Sequence, residues 1–169
     1  MCTIKTLCKK EARQLALSLR KDINVSVGDF IDKIKPYLKG KKVVAIYYPL
    51  PGEINLLPLV DLFSNINFVF PQTRDVISFH EVDAKGFNQG PFNTFEPCGK
   101  ELKKEKIDLI ITPALAINKH NYRLGYGKGY YDKYLSDYKG DTLCIISKKL
   151  VLNFLEDSFD VKVKEVLLI

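Results

Sequence analysis

Five short, strongly apolar segments constrain the fold of this 169-residue chain more than any other feature. They comprise residues 43–48, 67–70, 109–112, 142–146 and 166–169. Near-continuous hydrophobicity over so few residues is typical of strands in a sheet that is covered on both faces. Residues 77–82 instead alternate apolar with polar side chains, which predicts an edge strand or the arm of a hairpin.

The segments between these strands are long enough for helices. Helices are predicted over residues 4–21, 29–38, 55–64 and 129–138, and a short last helix over residues 150–155. Strands that alternate with helices indicate an α/β fold with a mostly parallel sheet. At this length, and without a repeat or a long linker, we expect one domain over residues 1–169.

The first predicted helix has two distinct faces. Its near-helical leucine spacing predicts a core-facing side formed by Leu7, Leu15 and Leu19. A basic stripe recurs every four residues and consists of Lys5, Lys9 and Arg13. Taken alone, this stripe is explained by the solvated side of an amphipathic helix.

Composition restricts the class of protein. With 46% hydrophobic and 27% charged residues, the chain is typical of globular proteins in solution, and no apolar run has the length of a membrane span. The start of the chain has no apolar signal-peptide region, so we expect a cytoplasmic protein. The cysteines lack metal-ligand spacing and are expected to be reduced thiols; they are Cys2, Cys8, Cys98 and Cys144.

The net charge of +6 raises the question of an anionic partner. The lysines are dispersed along the chain and often alternate with acids, without a block of like charges. This pattern favours solvated surfaces and a cleft for a small anionic substrate over dedicated nucleic-acid binding. We therefore expect no nucleic-acid partner and no membrane partner.

The sequence RLGYGKGYYD, residues 123–132, carries the clearest functional signal. Its alternating glycines allow main-chain N–H groups to converge on an anion, and the helix that follows adds a partial positive charge. It matches neither a P-loop nor a dinucleotide-binding fingerprint, because the glycine period is strictly two. With Arg123 and Lys128 flanking the glycines, the segment predicts a phosphate site; a simple glycine-rich turn is the alternative.

Three segments that follow predicted strands carry unusual residues. They are residues 47–53, 71–74 and 113–132. Ligands in α/β folds bind where strands end and loops turn outward. We therefore expect these three loops to meet over one pocket.

Taken in order along the chain, the motifs resemble the 5-formyltetrahydrofolate cyclo-ligase family, also called methenyltetrahydrofolate synthetase. The resemblance rests on a K-x-x-x-R pair, YYPLPGEINL, FPQTR, an EP pair, PALA, RLGYGKGYYDKYL and an aspartate in the tail. It spans nearly the whole chain, and the glycine block is its most specific part. Two departures precede that block: Ile117-Asn118 replaces the usual Phe-Asp, and Asn121 replaces a usual glycine.

The resemblance implies a three-layer, Rossmann-like fold of the NagB/RpiA/CoA-transferase-like type. It also implies ATP- and Mg²⁺-dependent cyclisation of 5-formyltetrahydrofolate, with or without a polyglutamate tail, to 5,10-methenyltetrahydrofolate by a monomer. In this reaction ATP phosphorylates the formyl oxygen, N10 then attacks the formyl carbon, and phosphate leaves.

The family pattern assigns roles to individual residues. Lys128 and Arg123 are the implied catalytic residues. The implied ATP-binding residues are Lys9, Arg13, Arg123, Gly125, Gly127, Lys128, Gly129, Tyr130 and Tyr131. The implied folate-binding residues are Tyr48, Glu53, Tyr126 and Tyr130, and the implied Mg²⁺ ligands are Asp132 and Asp160.

Simpler interpretations remain open for several of these residues. Glu53 is equally explained as an acid near the start of a helix, and at least one of Tyr130 and Tyr131 as a core aromatic. Asp160 has the weakest independent case, since an acid in a polar loop is ordinary. For the whole protein, a non-catalytic nucleotide- or folate-binding module and a basic nucleic-acid-binding relative of the fold are the alternatives.

Overall fold

The computed structural model describes residues 5–169 of the chain. Within them lie the helices α1 (Lys9–Arg20), α2 (Ile31–Leu38), α3 (Pro58–Leu62) and α4 (Tyr130–Leu135). The strands are β1 (Val43–Ala45), β2 (Asn67–Thr73), β3 (Ile77–His80), β4 (Phe87–Gln89), β5 (Phe95–Pro97), β6 (Glu101–Leu102), β7 (Leu109–Thr112), β8 (Ala116–Ile117), β9 (Arg123–Leu124), β10 (Asp141–Ile146) and β11 (Glu165–Leu168). Single 3₁₀ turns lie at Val27–Asp29, Pro91–Asn93, Lys104–Lys106 and Lys148–Leu150.

A seven-stranded sheet organises the molecule, with the order β11-β10-β7-β1-β2-β3-β6. The first five strands in this order are mutually parallel, whereas β3 and β6 are antiparallel to their neighbours. The chain passes from β1 to β2 and later returns to β7 on the other side of β1. The strand order therefore reverses at β1, which is where α/β sheets place their ligands.

Helices cover both faces of this sheet. Val44 packs in the same core cluster as Leu59 of α3 and residues of α2, whereas Ala45, the next residue, faces Leu135 of α4. On that second face, Ala16 of α1 packs in a cluster that includes the end of β10. The predicted three-layer α/β fold with a mostly parallel sheet is confirmed.

The first helix differs from its prediction at both its start and its buried side. Ile4 lies outside the described residues, and the helix begins only at Lys9, after Cys8. The Cys8 sulfur accepts from the Glu11 N–H, and the Glu11 carboxylate accepts from the Cys8 N–H at 2.9 Å. This reciprocal cap ends the extended segment in which Leu7 pairs with Phe154.

The buried side of α1 consists of Ala12, Ala16 and Arg20. Leu15 is 40% exposed, so the prediction that it faces the core is wrong. Leu7 and Leu19, the other two leucines of that prediction, are partly buried and pack against the same core cluster as Ala12 and Ala16. The basic residues Lys9 and Arg13 are only partly exposed and have specific partners, described below.

Other predicted elements change in length or type. No α-helix forms over residues 150–155, because Val151 pairs with Ile117 and Phe154 with Leu7 in extended backbone. The strand predicted over residues 77–82 is a hairpin arm on β2, and β6 forms the sheet edge. The β4–β5 hairpin was not predicted.

The structure also bears on two predictions about the class of protein. None of the helices in residues 5–169 has the length and apolar character required to cross a membrane. Cys8, Cys98 and Cys144 are free thiols, and Cys2 lies outside the described residues.

Candidate active site

A cleft of about 410 Å³ lies at the carboxyl ends of β1, β2 and β7. Tyr48 and Glu53 line it from the loop after β1, Thr73 from the end of β2, and Ala114 from the loop after β7. The glycine segment forms a further wall. The predicted convergence of three loops on one pocket is confirmed, and the volume is within the usual range for small-molecule sites.

The conformation of the glycine loop (residues 125–129) depends on its glycines and on a contact from α1. Gly127 (φ 100°) and Gly129 (φ 68°) occupy the left-handed region that favours glycine. Arg13 donates from Nε to the Gly125 carbonyl at 2.8 Å, and its guanidinium lies beside Gly127. The Lys128 side chain is exposed, and its Nζ is 5.9 Å from the ring centroid of Phe92.

Arg123 lies beneath this loop and is only 6% exposed. Its Nη2 donates to Asp132 Oδ1 at 3.0 Å, and the same oxygen accepts from the Val161 N–H at 3.0 Å. Among the described residues Asp132 Oδ2 has no hydrogen-bond partner, and the buried Arg123 Nε has none. Within the described residues, the pair therefore has one carboxylate oxygen and the guanidinium Nε without a partner.

Glu53 is a second carboxylate in the cleft, in a different environment. Its Oε2 accepts from the Leu50 N–H at 2.8 Å, and the Tyr126 hydroxyl donates to its Oε1 at 3.5 Å. Burial raises the pKa of Glu53, although the Leu50 N–H and the nearby positive charge of Arg20 partly oppose this. The group is thus a half-buried acceptor for N–H donors.

Aromatic side chains complete the walls. Tyr48 packs against Phe87 and Phe95 of the β4–β5 hairpin, with centroid distances of 5.2 and 5.0 Å. Tyr131 contacts Phe79 of the core, and its hydroxyl is buried with no partner in the described chain. Tyr130 lines the cleft beside it. These rings give the cleft flat apolar surfaces.

Lys9 and Asp160 were predicted as site residues, but neither lines the cleft. Lys9 Nζ lies 2.6 Å from Asp157 Oδ2 and 2.5 Å from Asp160 Oδ2. Burial alone would lower the pKa of Lys9, but its hydrogen bonds and charge pairing with both aspartates outweigh burial and raise it. Residues 5–169 contain no group of three or more His, Cys, Asp or Glu side chains arranged to hold a metal ion.

Comparison with known proteins places this site in a family. The model of the 5-formyltetrahydrofolate cyclo-ligase family matches residues 32–168, which is most of the chain. The chain belongs to this family. The family and class of enzyme predicted from the sequence are thereby confirmed.

Individual relatives agree with this assignment. A 5-formyltetrahydrofolate cyclo-ligase from Mycoplasma genitalium is 30% identical over 140 residues, covering 76% of each chain. One from Mycoplasma pneumoniae is 38% identical over 94 residues, and that match spans 56% of this chain but only 51% of the relative. The structure of the Aquifex aeolicus 5,10-methenyltetrahydrofolate synthetase has a TM-score of 0.80 at 31% identity, covering 96% of this chain and 90% of that one.

The two departures from the family pattern have a structural explanation. Asn118 is buried, and its Oδ1 accepts from the N–H groups of His120 and Tyr122, both at 3.0 Å. Asn121 has a φ of 65°, which asparagine tolerates better than most residues and which explains why glycine is usual there. Both residues therefore shape the turn that leads into the glycine loop.

Two features of the site were missed by the sequence reasoning. The first is Arg20, which shares a four-residue spacing with the buried alanines of α1; that spacing was the available signal. The second is the anchor of the β4–β5 hairpin, where buried Glu96 pairs with Arg74 at 2.8 Å and accepts from the Thr73 N–H at 2.7 Å. Both residues of this pair lie in family motifs that carried no assigned role.

Proposed function

We propose that the protein uses ATP and Mg²⁺ to cyclise 5-formyltetrahydrofolate to 5,10-methenyltetrahydrofolate, with release of ADP and phosphate. One observation supports this most: a single cleft is lined both by the half-buried carboxylate of Glu53 and by the glycine loop with its exposed Lys128. A pterin and a phosphate donor need these two different environments within reach of each other.

The chemistry sets the demands on the protein. The formyl oxygen takes the γ-phosphoryl group of ATP and ADP leaves. N10 then forms a bond to the formyl carbon and gives up its proton, and the oxygen leaves with the phosphate. Phosphoryl transfer is accelerated mainly by positioning and by neutralisation of charge. The cleft must therefore align two substrates and supply positive charge.

The glycine loop and its cations serve the nucleotide. N–H groups around Gly125, Gly127 and Gly129 bind the phosphates. Arg13 fixes the loop by its hydrogen bond to the Gly125 carbonyl. Lys128 and Arg123 act on the transferred phosphoryl group, because both line the cleft and Arg123 retains an unused donor. Tyr130 and Tyr131 flank the nucleotide from the start of α4.

The carboxylate chemistry of the site fits Mg²⁺. This cation is usually held by one or two carboxylates together with substrate phosphates, and when bound it neutralises phosphate charge. Asp132 Oδ2 is the available protein ligand in the cleft. Asp160 is engaged by Lys9 and by the Asp157 N–H, and the N–H of its neighbour Val161 donates to Asp132. Lys9 has one of its three donors left for a phosphate.

The opposite wall serves the folate. The Glu53 carboxylate accepts hydrogen bonds from pterin N–H groups, which present donors side by side. Tyr48, Tyr126 and Tyr130 pack against the ring system. The net charge of +6 suits a substrate that carries a glutamate tail.

The test is the absorbance of the methenyl product when purified protein is mixed with 5-formyltetrahydrofolate, ATP and Mg²⁺. We expect a signal that disappears when the protein, the ATP or the Mg²⁺ is omitted. ATP binding by calorimetry without product formation would overturn the proposal in favour of a non-catalytic binding module.

A further inference from the structure

Arg20 is a buried cation behind the cleft, in the last turn of α1, and it is 8% exposed. Its Nη1 donates to the Tyr126 hydroxyl at 2.9 Å and its Nη2 to the Ala114 carbonyl at 3.0 Å. It forms no ion pair with the carboxylates of the described chain, and its Nε has no partner. Burial of an unpaired charge destabilises the folded state, and an apolar residue could fill the same space without this penalty.

Tyr126 links this cation to Glu53. A hydroxyl has one proton, and its oxygen also accepts hydrogen bonds. Because the oxygen of Tyr126 accepts from Arg20, its proton is directed to Glu53 Oε1, 3.5 Å away. The other carboxylate oxygen of Glu53 is fixed by the Leu50 N–H. Arg20 therefore sets the direction of the hydrogen bond that reaches the carboxylate from the glycine loop.

The charge of Arg20 also acts on Glu53. Burial raises the pKa of Glu53, whereas Arg20 opposes this rise. The other titratable groups that face Glu53 are the hydroxyls of Tyr47, Tyr126 and Tyr131, and their own pKa values are raised by burial and by Glu53. Arg20 is thus the cation that favours the ionised form of this carboxylate.

We infer that Arg20 is a positioning residue of the folate subsite: through Tyr126 it holds the Glu53 carboxylate in place to accept N–H groups of the pterin. The inference rests on the proposed function. It also explains how one helix serves both sides of the cleft, since Arg13 of α1 holds Gly125 while Arg20 holds Tyr126, the next residue.

The experiment compares Arg20→Met, Arg20→Lys and Tyr126→Phe, with Lys10→Met as an exposed control on the same helix. Arg20→Met is expected to raise the KM for 5-formyltetrahydrofolate about tenfold, which is the scale of a lost hydrogen bond to a charged group. The KM for ATP and kcat should stay within about twofold of wild type, since within the described chain the Arg20 side chain bonds only to Tyr126 and the Ala114 carbonyl and to no residue assigned to the nucleotide. Arg20→Met combined with Tyr126→Phe should be no worse than the stronger single variant.

A pH profile separates positioning from simple destabilisation. An ionised Glu53 is required to accept from the pterin, so kcat/KM for the folate falls as the pH drops through the pKa of Glu53. Loss of Arg20 raises that pKa further. It therefore moves the acid limb, which is the fall of kcat/KM at low pH, to higher pH. Arg20→Lys retains the charge and should return the limb towards the wild-type pH, while the KM for the folate stays elevated.

Two outcomes would overturn the inference: an unchanged KM for the folate in Arg20→Met, or losses in both KM values and in Tm with an unmoved acid limb. If Arg20→Met fails to fold, Tyr126→Phe provides the same comparison, because its hydroxyl alone is removed. Wild-type protein without cyclo-ligase activity would refute the proposed function instead. Calorimetric binding of 5-formyltetrahydrofolate to wild type and Arg20→Met then tests the inference by itself, and absent binding to the wild type would refute both.

Discussion

Two neighbouring regions of the molecule place their positively charged side chains in opposite environments. In the glycine loop (residues 125–129), Lys128 is exposed, and its only recorded contact among the described residues is with the ring of Phe92. In the region behind the loop, which we call the paired-charge region (Lys9, Arg123, Asp132 and Asp160), each cation meets a carboxylate at 3.0 Å or less.

This difference predicts which of these residues contribute to ligand binding and which contribute to the stability of the fold. An exposed, unpaired cation contributes little to folding, but it is available to a phosphate as soon as one arrives. A buried pair contributes to the fold, and removal of one partner leaves the other charge uncompensated. Changes in the glycine loop should therefore reduce activity alone, whereas changes in the paired-charge region should also reduce stability.

Lys128→Met should give the largest loss of activity. Removal of a preorganised charge-stabilising group typically reduces kcat by about 10²-fold or more. Because Lys128 makes no ion pair with the described residues, its Tm should equal that of the wild type. Steady-state kinetics and thermal unfolding measure the two quantities, and Lys133→Met, an exposed lysine of α4, is the matched control. Turnover near the wild-type rate would contradict the role of the glycine loop.

Asp132→Asn should reduce both the activity and the thermal stability. It removes a charge from the proposed Mg²⁺ site, so the Mg²⁺ concentration for half-maximal activity should rise. It also leaves buried Arg123 without its carboxylate, at a cost of about 2 kcal/mol in the free energy of unfolding. A lower Tm with an unchanged Mg²⁺ requirement would limit Asp132 to a structural role.

The sequence predicted the features that depend on short segments. Apolar runs are recognisable because a strand such as β10 must be buried on both faces, and the glycine loop because its unusual backbone needs glycine. Features that depend on distant partners were missed or misjudged. Lys9 and Asp157 are 148 positions apart, and nothing in the spacing of α1 indicates that they meet. Arg20 was missed for the same reason, since its partners lie beyond residue 113.

Lys9→Met should have the smallest effect on activity. Because two donors of Lys9 are engaged with Asp157 and Asp160, loss of its remaining donor should raise the KM for ATP only about threefold, the scale of an exposed ion pair. Its larger effect should be on stability, a loss of about 1 kcal/mol at neutral pH.

The pH dependence of that stability tests whether the ion pairs of Lys9 stabilise the fold. The raised pKa of Lys9 means that its stabilisation is fully present below the ordinary pKa of lysine and is lost as the pH rises through the raised value. The difference in unfolding free energy between wild type and Lys9→Met should therefore shrink as the solution becomes alkaline, as measured by denaturant titrations across that range. A loss of activity as large as that of Lys128→Met, with no loss of stability, would move Lys9 from the paired-charge region into the nucleotide site.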